Sequence, residues 1–109
     1  MKNNMSLIQS KNQTLNLSLA HLADEMPEYQ YYAIPERIRN LCKSKDLLLD
    51  EYLGAVDPFV RRETSRSLNT HLNELYCQLL IAGDIGLLTE SKTNILKSDI
   101  RALSDLIKD

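Results

Sequence analysis

Two runs of cations carry the clearest chemical signal in the chain. Arg37, Arg39, Lys43 and Lys45 follow one another with no acid between them, and Arg61, Arg62 and Arg66 crowd a second short stretch. Guanidinium and ammonium groups clustered in this way contact phosphates well, through charge and, for Arg, through a two-pronged hydrogen bond. Arg39 and Lys43 are spaced to share a helical face, as are Arg62 and Arg66. The candidate phosphate-contacting set is therefore Arg37, Arg39, Lys43, Arg61, Arg62 and Arg66. The plainer alternative is that these are ordinary solvated faces. Lys45 is a separate case, because it falls on an apolar stripe and must either snorkel to water or meet a partner.

Other chemistries lack their residues. No GxSxG context, Gly-rich phosphate loop, HExxH or calcium-loop pattern occurs. A di-iron bundle needs Glu three residues before its His. His21 and His71 instead have Ser18 and Leu68 at those places. Cys42 and Cys77 have no CxxC spacing, so a zinc site is not expected, and they read as small buried thiols on facing helices. Asp50 and Glu51 read as solvated. No enzyme activity, metal or cofactor is expected.

The elements that must hold the cations follow from periodicity. At 109 residues the chain has room for one domain, spanning 1–109 with residues 1–5 frayed. Few glycines, three prolines, no Trp and abundant Leu favour helices. Ser6 and Gln9 have capping-box spacing. Ile8, Leu15, Leu19, Leu22 and Met26 then form an apolar stripe, which Lys11, Asn12 and Gln13 interrupt. Pro27 breaks the pattern, and Tyr29, Tyr31 and Tyr32 read as rings covering the end of the core or, alternatively, as a stacking platform for bases.

The second helix is expected over residues 33–56, with Pro35 in its first turn. Ile34, Ile38, Leu41, Leu48, Tyr52 and Ala55 lie on one face, widened by Leu49 and Val56. The third is expected over residues 58–82, capped by Asp57 and carrying Leu68, Leu72, Leu75, Leu79 and Ala82 at 4-3-4-3 spacing; Gly83 is its expected stop. Arg61, Arg62 and Arg66 sit where a helix dipole disfavours cations. Thr89 caps the fourth, whose apolar face is Ile95, Leu96, Ile100, Leu103, Leu106 and Ile107. The expected fold is all-α, an antiparallel up-down-up-down four-helix bundle.

A net charge of −2 and a pI near 5.7 argue against a chain that is basic all over, but not against local basic patches. The N-terminus is polar and no apolar run is long enough to cross a membrane, so a cytoplasmic protein with reduced thiols is expected.

Two segments carry a family resemblance: MPEYQYYAIPERIRN, residues 26–40, and LNELYCQLLIAGDIGLLTES, residues 72–91. The chain resembles the four-helix proteins that include the accessory variability determinants of diversity-generating retroelements and the proteins encoded in 23S ribosomal RNA intervening sequences. In that family a Pro-containing link leads into a second helix opening with a Gly-Glu-Arg-Ile-like motif, here Pro35-Glu36-Arg37-Ile38. A leucine-rich run followed by a Gly-Leu-Leu-Ser-like turn ends the third, here Gly86-Leu87-Leu88-Thr89. The match in element order runs from about Leu15 to Ile107. It implies a barrel-shaped homopentamer and a non-enzymatic role, binding RNA or DNA and a reverse transcriptase through basic surface. Arg37 would inherit that role first, then Arg39, Lys43, Arg61, Arg62 and Arg66. The alternative from a different class is a protein-interaction adaptor or inhibitor bundle that binds no nucleic acid.

Overall fold

The computed structural model describes the backbone of residues 2–26 and 33–107, with side chains from residue 5 onward. Among the described residues there are four helices and no strand: α1 (Lys2–Glu25), α2 (Ile34–Gly54), α3 (Pro58–Asp84) and α4 (Glu90–Leu106). They pack as an all-helical bundle of 44 × 22 × 18 Å. α1 lies against α2 and α4, and α3 lies against the same two. The diagonal pairs do not approach one another, and α2 with α3 is the most extensive pairing. No described helix is long and apolar enough to cross a membrane. Tyr29, Tyr31, Tyr32 and Pro27 lie outside the described residues.

Local chemistry explains most of the boundaries. Asp57 accepts a hydrogen bond from the Phe59 backbone N–H at 2.9 Å, with Pro58 opening α3. Thr89 accepts one from the Lys92 N–H at 3.2 Å and so caps α4. α2 has no such cap. Ala33 precedes it with φ 57°, a left-handed conformation that costs an L-residue about 1 kcal/mol.

Three expected boundaries shift. α1 begins at Lys2, before the Ser6–Gln9 pair, and α2 ends at Gly54, before Val56. Gly83 does not stop α3; Gly86 does. The Leu87 N–H reaches back to the Ala82 carbonyl at 2.8 Å and the Gly86 N–H to that of Gly83 at 3.1 Å, with Gly86 at φ +83°. This is a Schellman closure, which needs the left-handed residue at Gly86. Gly83 stays helical and has another use: a Cβ there would lie 3.1 Å from Thr93 Oγ1, so its absence lets α3 and α4 approach.

The core gathers the four stripes. Ile8, Leu15, Leu19, Leu22 and Met26 of the first stripe are buried, and so are Leu68, Leu72, Leu75, Leu79 and Ala82 of α3. Leu88 folds back under them, with Leu87 half-buried beside it. Two expected core members are outside. Val56 is 96% exposed because α2 has already ended, and Ile95 is 59% exposed because it sits on the flank of α4 next to α1. Asn12 and Lys45 take buried places instead, at 7% and 0% exposure.

Candidate nucleic-acid interface

The six sequence candidates do not form one cluster. Arg37 is exposed at the start of α2 and borders a shallow groove of about 410 Å³, with Asn40, Leu41 and Ser44 of α2 facing Glu74, Cys77 and Gln78 of α3. The Gln78 Oε1 atom is buried there without a hydrogen-bond partner among the described residues. Arg39 points the other way and pairs with Asp24 of α1 at 3.0 Å. Lys43 stands exposed on the outer face. The α2 cluster is thus divided: Arg37 faces the α3 side, while Arg39 and Lys43, a turn apart, lie on the other side of the helix.

Lys45, the cation on the apolar stripe, meets a partner instead of snorkelling. Its ammonium donates to Asn12 Oδ1, to Asn16 Oδ1 at 2.6 Å and to Asp46 Oδ1 at 2.8 Å. The two asparagines donate in turn to the Asp46 carboxylate at 3.0–3.1 Å. All three ammonium protons are used, which is what permits a charge to sit at zero exposure. Burial alone would raise the Asp46 pKa. The hydrogen bonds from Lys45, Asn12 and Asn16, with the Lys45 charge, outweigh it and hold the carboxyl below its usual range. Asn12, one of the residues that interrupt the α1 stripe, and Asn16 a turn later are therefore the α1 receptor for Lys45.

On α3, Arg61 lies over the Tyr52 ring, 4.7 Å from its centroid, and closes the end of α2 by a cation–π contact. Arg62 and Arg66 are exposed, and Arg66 is 3.8 Å from Glu63, a loose surface pair. The first turn of α3 holds no acid.

One group of cations escapes the sequence reading. Lys97 and Arg101 of α4 lie over the Tyr76 ring at 5.4 and 5.1 Å from its centroid, and Arg101 donates to the Tyr76 hydroxyl at 2.8 Å. Their spacing was a visible signal; the ring came from another helix.

Other chemistry is sparse. No group of acids, His and Cys able to hold a metal occurs among the described residues. His21 is exposed, and His71 Nδ1 bonds the Ser67 carbonyl at 2.9 Å within its own helix. Both cysteines are free, but only Cys42 is half-buried; Cys77 is exposed, on the groove side of α3, contrary to the expected pair of buried thiols. Burial pushes the Cys42 thiol up; the Lys45 charge opposes this and Asp46 adds to it. No protein-family model, curated protein or solved structure matches the chain.

Proposed function

We propose that this is a non-enzymatic accessory protein that self-associates and binds RNA or DNA through exposed arginines and lysines, with a reverse transcriptase as its protein partner. This is the role implied by the resemblance to retroelement accessory proteins. The observation that carries the binding reading is the opening of α3: Arg61, Arg62 and Arg66 are all exposed in the first part of a long helix whose one nearby cap is Asp57 and whose first turn has no acid. The fold uses these cations in part, Arg61 over Tyr52 and Arg66 beside Glu63, and their clustering at the surface favours an external anion. Self-association, with a pentamer as the family-like number, is supported by large apolar side chains left in solvent, Leu17 at 66%, Leu47 at 73% and Phe59 at 64%.

The up-down-up-down, antiparallel course belongs to this reading. Its support is that residue numbers rise on one helix as they fall on the next. Asp24 pairs with Arg39 and Asn12 with Lys45; Asn69 meets Ser104 and Tyr76 meets Arg101; Glu25 meets Lys92. Free thiols at Cys42 and Cys77 suit a reducing cytoplasm.

Titration of labelled single-stranded RNA and DNA at several salt concentrations tests the binding. Salt-weakened binding, reduced at least about tenfold by Arg62→Glu with Arg66→Glu, is the expected result. Absence of binding at low salt overturns it. Light scattering tests assembly, and a strict monomer would remove that part of the proposal. The second reading, a protein-interaction adaptor or inhibitor, is favoured by one feature, the exposed Val56, Phe59 and Val60 at the α2–α3 turn. It predicts a salt-insensitive partner that Phe59→Ser releases.

A further inference from the structure

We infer that the α3–α4 edge is a phosphate-binding strip in which Lys97 and Arg101 of α4, organised by Tyr76, extend the Arg62–Arg66 pair of α3. The inference rests on the nucleic-acid reading and names the surface that performs it.

Helical geometry lines up the parts. Arg62, Arg66, Asn69, Asn73 and Tyr76 recur at 4-3-4-3 spacing, one flank of α3. Contacts identify that flank as the one turned to α4. Asn69 accepts from the Ser104 hydroxyl at 2.7 Å and donates to the Ile107 carbonyl at 3.3 Å, while Tyr76 meets Arg101. Lys97, Arg101 and Ser104 answer at 4-3 spacing on α4. From Arg62 to Tyr76 is about 21 Å of helix, and Lys97 lies a turn beyond Arg101, so four cations spread over roughly 26 Å. The amides of Asn69 and Asn73 and the hydroxyl of Ser104 stand between them.

The electrostatics of the new pair differ from those of the other cations. Neither Lys97 nor Arg101 makes an ion pair among the described residues, whereas Arg39, Lys45, Arg66 and Lys92 each do. Their nearest partner is a neutral phenol, which orients them without cancelling charge. Arg101 is held through both its plane and an N–H, so less side-chain freedom is lost when it meets an anion. Among the described residues the acids along the edge are Glu63, already against Arg66, and Asp105, one turn beyond Arg101; Arg62 has a partner of its own, so the uncancelled charge of the strip lies with Lys97 and Arg101. Tyr76 is half-buried and faces its own cations, so it does not offer a free face for base stacking. The strip therefore contacts the sugar-phosphate backbone without regard to sequence.

The test uses the full chain and fluorescein-labelled oligo-U and oligo-dT, whose bases stack weakly, followed by anisotropy. Lys97→Gln with Arg101→Gln should weaken binding about tenfold and lower the salt dependence, with the melting curve unchanged. Lys97→Arg with Arg101→Lys should stay within about threefold of the wild type, because charge is kept. Wild-type binding that the double Gln variant leaves intact overturns this site while the nucleic-acid reading stands. A wild type that binds neither oligomer at low salt overturns both. A variant that binds weakly because it has unfolded is exposed by its melting curve, and retained affinity in the charge-keeping variant then decides the matter.

Discussion

The α1–α2 and α3–α4 seams both place cations between helices, and they treat them in opposite ways. At the first, Lys45 is sealed at zero exposure and every one of its protons is given to Asn12, Asn16 or Asp46. At the second, Arg101 and Lys97 surround a phenol at the surface and no carboxylate among the described residues neutralises them. A buried charge that is satisfied internally serves the fold, since nothing outside can reach it. An exposed charge that is oriented but not neutralised is free for a ligand. The difference separates structural cations from candidate functional ones better than sequence clustering does, because Lys45 and Arg37 belong to the same run.

That contrast can be broken by mutation. Lys45→Ala should cost the most, about 3 kcal/mol, because it opens a cavity and strips three acceptors of their donor. Circular dichroism melts would show it, the chain having no Trp to report by fluorescence. Oligonucleotide affinity per folded molecule should not change. Asn16→Ala should cost less, about 1–2 kcal/mol, since Lys45 retains two acceptors.

Acid acts on the same seam. The folded-state pKa of Asp46 lies below its unfolded value, so its stabilisation is complete above roughly pH 5 and is lost as pH falls below about 4 through the folded value. The effect is modest, because the carboxylate is 47% exposed. A melt series from neutral to acid pH checks it: the wild type should lose stability more steeply than Asp46→Asn over that range. At the other seam, Lys97→Gln with Arg101→Gln should move stability by no more than about 0.5 kcal/mol. A large loss of stability there would make these cations structural and dissolve the contrast.

The parts of this account that sequence reaches are those set by local spacing. Leu68, Leu72, Leu75, Leu79 and Ala82 repeat at helical period and are all buried, and Asp57 and Thr89 cap the helices that follow them. What sequence misses depends on partners far along the chain. Asn12 reads as a flaw in an apolar stripe until Lys45, 33 residues away, is placed against it. Lys97 and Arg101 are an unremarkable pair until Tyr76, 25 residues from Arg101, arrives between the helices. Gly83 and Gly86 are equally good stop signals by type; Gly83 stays helical, packed beside Thr93, and the left-handed turn falls at Gly86. Val56 fits the α2 stripe by period, but α2 ends at Gly54 and leaves it in solvent.

The most direct test of the strip is the salt dependence of oligo-U binding by the wild type and by Lys97→Gln with Arg101→Gln. Four cations on the phosphates of a single strand predict a slope of log K against log salt near −3, falling to about −1.4 when two are removed. A slope near zero, or one that the double substitution leaves unchanged, would contradict the assignment of the α3–α4 edge as the surface that binds nucleic acid.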